Sequence, residues 1–153
     1  MSEQAIAPLF LSVILRAMRQ IKVAFATGLS SGVPVSPAQY RILARLRSGQ
    51  ATVSELAEWH AVSLPTATKI LDGLVERGWV DRQRSADDRR QVLLALTEAG
   101  KEVLAELDRL GLAVAERVLS GLTPEEQELV RLALLALDRA MPAESAGGAE
   151  EQR

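Results

Sequence analysis

The 153-residue sequence contains no cysteine and a single histidine, His60. The first absence excludes disulfides, thiolate nucleophiles, thiol redox sensing and cysteine zinc sites. The second leaves nothing on which to build a catalytic triad or a multi-histidine metal site, so carboxylate-only chemistry is the one enzymatic option left. Neither an enzyme nor a cofactor or metal is expected. Aromatics are scarce as well, at 3% against 48% hydrophobic residues overall. Leu, Val, Ile and Ala must therefore carry the packing, a balance typical of helical proteins. Long apolar runs are also missing. Gln4 to Leu15, the longest uncharged run near the N-terminus, falls short of the ~20 residues that cross a bilayer, and Met1 to Gln4 lack the basic start of a signal peptide. A soluble, cytoplasmic protein without a membrane partner is expected.

An overall basic charge is absent too. The net charge is -2 and the pI about 5.5, which taken alone argues against a nucleic-acid partner. The distribution reverses this. Residues 1–97 carry a net +4 and residues 98–153 a net -6. Steering of DNA depends on the field within about a Debye length, ~8 Å at physiological salt, so a basic front can coexist with an acidic rear.

Residues 5–27 place Leu9, Val13, Ile14, Ile21 and Phe25 at helical spacing, with Arg16, Arg19 and Lys22 interspersed, which suits an amphipathic helix ending near Gly28. Ser36-Pro37-Ala38-Gln39 reads as a helix start with Ser36 as N-cap, Pro37 in the first position and Gln39 closing a capping box. Thr52-Val53-Ser54-Glu55 opens a second, short helix to about His60, and Ser63 can cap a third that runs to Arg77, with Gly78 in the left-handed terminal position. Two short helices joined by a few residues have the proportions of a helix-turn-helix. A hairpin follows, with Trp79 to Arg84 as one strand, Ser85 to Arg89 as the turn and Gln91 to Leu96 as the return strand. Thr97 caps the next helix, and Thr123-Pro124-Glu125-Glu126 is a third capping box.

The fold class is therefore mainly α with a small β-hairpin wing. A winged helix-turn-helix lobe over 36–97 is flanked by an N-terminal dimerisation helix over 5–28 and C-terminal dimerisation helices over 98–141. The tail, 142–153, is rich in Ala, Gly and Glu and is expected to be disordered. The lobe has its own core of Leu43, Leu46, Leu56, Ala67, Ile70 and Leu74. The outer helices carry more apolar face than the lobe can cover, which points to a homodimer.

In a helix-turn-helix the second helix lies in the major groove with its first residues against base edges. Here these are Ser63, Pro65, Thr66, Thr68 and Lys69; taken singly, the hydroxyls also suit plain capping of a solvated helix. No Arg, Asn or Gln offers bidentate readout in the first two turns, so groove shape and the wing must supply part of the discrimination. On the wing, Arg82 and Arg84 share one face of the first strand, and Asp88, Arg89 and Arg90 occupy the tip. Five arginines between residues 77 and 90 leave a net +2 after Asp81, Asp87 and Asp88. Double-stranded DNA is the partner that this pattern implies. Two other classes stay open: a winged-helix protein-interaction module without DNA affinity, supported by the acidic pI alone, and a carboxylate-based hydrolase, which would need a buried acid pair.

Several stretches together closely resemble the MarR family of dimeric winged-helix regulators. They are Pro37 to Leu43, Val53 to Ala57, Thr66 to Val80, and Asp87-Asp88-Arg89-Arg90 through to Leu96-Thr97-Glu98-Ala99-Gly100. The most specific element is an acid, one residue, an arginine, five residues and Leu-Thr, matched by Asp88, Arg90, Leu96 and Thr97. The resemblance implies that Arg90 enters the minor groove with Asp88 positioning it. It also implies a transcriptional regulator, a repressor, acting on a pseudo-palindromic operator with half-sites ~10 bp apart.

A small anionic or phenolic effector is implied by the resemblance alone, with Arg16, Arg19, Tyr40 and His60 as candidate contacts. Each has a second reading, the arginines as surface charge, Tyr40 as core or interface packing, His60 as a filler ending a short helix. Two positions depart from the family pattern. His60-Ala61 stands where an apolar residue and glycine are usual, so a left-handed turn there costs ~1 kcal/mol relative to glycine. Ala86 stands where the wing tip commonly has proline.

Overall fold

The computed structural model describes residues 3–85 and 90–141. Six helices and one hairpin follow in the order α1 (Glu3–Thr27), α2 (Pro37–Leu46), α3 (Val53–Trp59), α4 (Leu64–Glu76), β1 (Val80–Arg84), β2 (Val92–Leu96), α5 (Glu98–Leu119) and α6 (Pro124–Ala140). This is a mainly α, winged helix-turn-helix architecture.

The helix starts are local chemistry. Ser36, Thr52 and Thr123 each accept the backbone N–H three residues on, while Gln39, Glu55 and Glu126 reach back to the cap's own N–H. Each box satisfies two orphan donors of its helix. Ser63 and Thr97 cap α4 and α5 by the forward bond. At the C-terminal end of α4, Gly78 adopts φ +72°, the left-handed conformation that ends the helix.

β1 and β2 pair antiparallel with Val80 opposite Leu96, Arg82 opposite Leu94 and Arg84 opposite Val92. A single antiparallel bridge joins Ala51 to Leu94 on the far side, with N···O distances of 3.2 and 2.8 Å. The hairpin is thereby tied into the lobe near the start of α3. Beyond the strands, the Ser85 N–H donates to the Gln91 carbonyl at 3.0 Å and continues the ladder toward the tip.

One aliphatic core runs through the lobe and into the arms. Ile42, Leu43, Leu56, Leu71, Leu74 and Leu94 are fully buried, and Phe25 of α1 and Leu104 and Leu107 of α5 belong to the same cluster. Leu71, not Ile70, is the innermost side chain of its pair; Ile70 is half-buried at the edge. The start of α5 is seated on the beginning of the hairpin. The Thr97 N–H donates to the Trp79 carbonyl at 3.1 Å and its hydroxyl to the Gly78 carbonyl at 2.6 Å. Gly100 lies so close that a Cβ would stand 2.0 Å from the Trp79 carbonyl oxygen. We expect Gly100→Ala to destabilise the fold by on the order of 3 kcal/mol, read as a fall in the urea midpoint, because backbone must move to admit the methyl group.

The turn between α3 and α4 is left-handed at Ala61, with φ +54°. The Ala61 N–H donates to the Glu58 carbonyl and the Val62 N–H to the Ala57 carbonyl, both at 3.0 Å. The geometry is thus kept without glycine, at a steric cost that only a Cβ incurs. Ala61→Gly should raise stability by about 1 kcal/mol. A denaturant midpoint equal to or below that of the parent would contradict this.

Lobe and arms are also joined by polar contacts. On α2, the Tyr40 hydroxyl donates to Asp108 Oδ1 at 2.9 Å and Arg47 Nη2 reaches Asp108 Oδ2 at 2.5 Å. Burial first, and then the bond to Asp108, raise the Tyr40 pKa and keep the phenol protonated. In the loop after α1, the Ser30 N–H donates to Glu106 Oε1 at 2.7 Å.

α6 buries no residue at all, and the first half of α1 is exposed along its whole apolar length. Leu129 retains 67% of its surface and Leu9 62%. Among the described residues no helix is long and apolar enough to cross a membrane.

Candidate nucleic-acid interface

The N-terminal turn of α4 projects from the lobe. Ser63, Pro65, Thr66 and Lys69 are exposed and Thr68 is half-exposed. All three of the hydroxyls are locally engaged. Thr68 Oγ1 donates to the Leu64 carbonyl at 2.8 Å, and Ser63 Oγ lies 2.8 Å from Thr66 Oγ1. Each hydroxyl oxygen retains acceptor capacity and each threonine a methyl group, so this turn offers apolar and acceptor contacts around the Lys69 ammonium.

Leu64 belongs to this surface although its spacing to Ala67, Leu71 and Leu74 puts it on the buried stripe of a helical wheel. It retains 51% of its surface because the stripe runs one turn beyond the end of the lobe. Asp72 was also missed by sequence reasoning. It shares the outer face of α4 with Pro65, Lys69 and Glu76, at spacings of four, three and four residues.

The hairpin stands beside this helix. Arg82 and Arg84 share the face of Val80 and Leu94, as the alternation predicts. Arg84 and Arg90 are exposed on either side of the tip, and the Arg82 guanidinium is hydrogen-bonded to Asp72 Oδ1. Asp88 and Arg89, with Ala86 and Asp87, lie outside the described residues.

The four candidate effector contacts fall into three places. Arg16 and Arg19 come together with Arg117 along a groove between α1 and α5, floored by Val23, Ala24, Leu110 and Val114. None of the three arginines carries an ion pair among the described residues. Tyr40 sits at the junction of α1, α2 and α5, its ring 4.9 Å from that of Phe25. His60 caps α3. Its ring stacks on Trp59 at 6.1 Å and its Nδ1 is buried without a hydrogen-bond partner. Burial, and then the nearby Arg41 guanidinium, hold its pKa below the ordinary histidine value. Arg41 itself lies 5.1 Å from the Trp59 ring centroid. Among the described residues no three His, Asp or Glu side chains are grouped as a metal site would require.

A match to the MarR family spans residues 35–92, covering α2 through the start of β2. The chain is 37% identical over 108 residues to the HTH-type transcriptional regulator YfiV of Bacillus subtilis, covering 70% of this chain and 68% of that protein. The chain belongs to the MarR family. The multiple antibiotic resistance protein MarR of Escherichia coli is 32% identical over 98 residues, covering 63% of this chain and 68% of its own length. The solved structure of wild-type E. coli MarR in its apo form superposes with a TM-score of 0.73 at 27% identity, over 89% of this chain and 96% of that one. A mutant of the same protein in complex with operator DNA gives 0.67 at 26% identity, over 90% and 94%. The protein is thus a DNA-binding transcriptional regulator of the MarR family, whose matched segment contains α3, α4 and β1 of the surface described above.

Proposed function

We propose that this MarR-family regulator acts as a homodimeric repressor on a pseudo-palindromic duplex and leaves it when a small anionic or phenolic effector binds, with no catalytic role of its own. The observation that carries the reading is the pairing, on one lobe, of an exposed helix start with an arginine-bearing hairpin. Ser63, Pro65, Thr66, Thr68 and Lys69 enter the major groove; Arg84, Asp88, Arg89 and Arg90 of the wing serve the phosphates and the adjacent minor groove, with Arg82 at the wing's base. The division of labour follows the chain, with the lobe over 36–97 reading DNA and the helices over 5–28 and 98–141 joining two copies.

The dimer reading rests on the bare apolar faces of α1 and α6, which a twofold partner would cover. The effector reading has its support in the groove of Arg16, Arg19 and Arg117, where three cations meet an apolar floor between the arms. An effector shifts the equilibrium only by preferring one lobe separation to another. Lys69→Ala tests the major-groove assignment. The affinity for a duplex selected by the wild-type protein from a random-sequence pool should fall, and an unchanged affinity and footprint would show that another face of α4 meets the bases.

A further inference from the structure

We propose that Asp72 and Arg82 form a clip that sets the wing's angle to the recognition helix, so that Arg82 acts on DNA through Asp72 and not by touching a phosphate itself. The inference rests on the reading of α4 and the wing as the DNA surface, and makes Asp72 and Arg82 positioning residues for it.

α4 and β1 are consecutive elements joined by the short turn at Arg77, Gly78 and Trp79, and each is anchored separately. α4 is held by Ala67, Leu71 and Leu74, and β1 by Val80 and the cross-strand Leu94. Beyond Val80 every residue of β1 is exposed, and a two-stranded hairpin has little stability of its own. The Ala51–Leu94 bridge and the bond from Gln50 Nε2 to Gln83 Oε1 tie the hairpin to the loop before α3, and a further attachment to α4 is needed if the tip's arginines are to meet one groove while that helix occupies another. The Arg82 guanidinium supplies it by bonding Asp72 Oδ1, ten residues back on the helix. Arg82 lies on the same face of the hairpin as Val80 and Leu94, so the start of its side chain crosses a rigid part of the sheet. The Arg82 backbone N–H donates to Asp81 Oδ1 at 2.8 Å and holds that acid at the strand's own edge.

Charge supports the same reading. Asp72 shares its face with Pro65 and Lys69, in the middle of the stripe turned toward DNA. A bare carboxylate there would oppose a phosphate backbone, and the Arg82 guanidinium cancels it locally. A cation committed in this way has no net attraction to offer the phosphates. The side chains of Arg82 and Asp72 are 44% and 48% exposed. An ion pair this open adds little to fold stability, so its loss should be felt in DNA binding and hardly at all in the thermal midpoint.

The test is a double-variant cycle with Asp72→Asn and Arg82→Gln. It uses the full-length chain and a duplex selected from a random-sequence pool by the wild-type protein, with affinity measured against salt and melting recorded for each variant. We expect each single variant to weaken binding by roughly three- to ten-fold, and the double variant to be no weaker than the poorer single. The slope of log K against log salt should stay at the wild-type value in all three, because no phosphate contact has been removed. Additive losses, a salt slope reduced by about 1 per subunit in Arg82→Gln, or unchanged or tighter binding by Asp72→Asn would overturn the clip and make Arg82 a direct phosphate contact. Arg90→Ala and Lys69→Ala on the same duplex separate the layers. If they lose affinity while the cycle fails, the clip alone is wrong; if they lose nothing, the DNA surface itself is misplaced and the clip falls with it.

Discussion

Arg90→Ala is expected to weaken binding to duplex DNA by roughly ten- to hundred-fold and to flatten its salt dependence by about 1 in slope per subunit. The expectation follows from the poverty of the recognition helix. Its first turns present hydroxyls already bonded within the helix, a proline ring, a leucine and a single ammonium. No planar donor fork is available there for bidentate reading of a guanine or adenine edge. The wing has the arginines, and Arg90 stands exposed where the strand leaves the tip. The arginine fork suits a narrow minor groove, and both wings of a dimer lose theirs in the variant, so the two losses multiply. The effect should be similar across operator sequences because the lost contact reads shape and charge. Affinity measured on several duplexes over a range of salt decides it, and an unchanged slope would remove Arg90 from the interface.

Leu132→Asp is expected to have a larger effect by a different route. α6 buries no side chain in one chain, and Leu129, Leu132, Leu134 and Leu135 are all exposed, facing solvent unless a second copy covers them. A carboxylate in that face must be desolvated for two chains to meet, at a cost of several kcal/mol per ion. The variant should sediment as a monomer at micromolar concentration while its lobe stays folded, since no residue of α6 belongs to the core cluster. A monomer holds one half-site at a time, so affinity for the full duplex should fall by about 10²- to 10⁴-fold through lost avidity. A variant that remained dimeric would place the partner surface elsewhere, on α1 or α5.

How far the sequence revealed this structure depends on how local each determinant is. The capping boxes at Ser36, Thr52 and Thr123 need only four residues, and each formed where its spacing predicts. Gly78 and the alternation from Val80 to Arg84 likewise placed the hairpin, with the first strand starting one residue later than Trp79. The left-handed turn expected between the two helices is present at Ala61 despite the missing glycine.

Features that need two distant segments were hidden. Tyr40 and Arg47 converge on Asp108 across more than sixty residues, and nothing in their own neighbourhoods announces it. The Asp72 partner of Arg82 lies on the preceding helix, where a charged residue on an outer face reads as ordinary solvation. Leu64 misleads for a related reason, since its periodicity is that of the core and only the end of the lobe leaves it bare. Ile70 and Leu71 are adjacent in the chain and both apolar, and tertiary packing chose the second. Arg16 and Arg19 were legible as an amphipathic pattern, but their companionship with Arg117 depends on α1 running alongside α5.

In the proposed complex two copies of α4 and its wing grip one duplex about a twofold axis. Hydroxyl-radical footprinting of the wild-type protein on a duplex selected from a random-sequence pool tests it most directly. Two symmetric protected half-sites ~10 bp apart are expected, flanked by minor-groove protections that disappear with Arg90→Ala. A single asymmetric footprint, or flanks that survive the loss of Arg90, would contradict it.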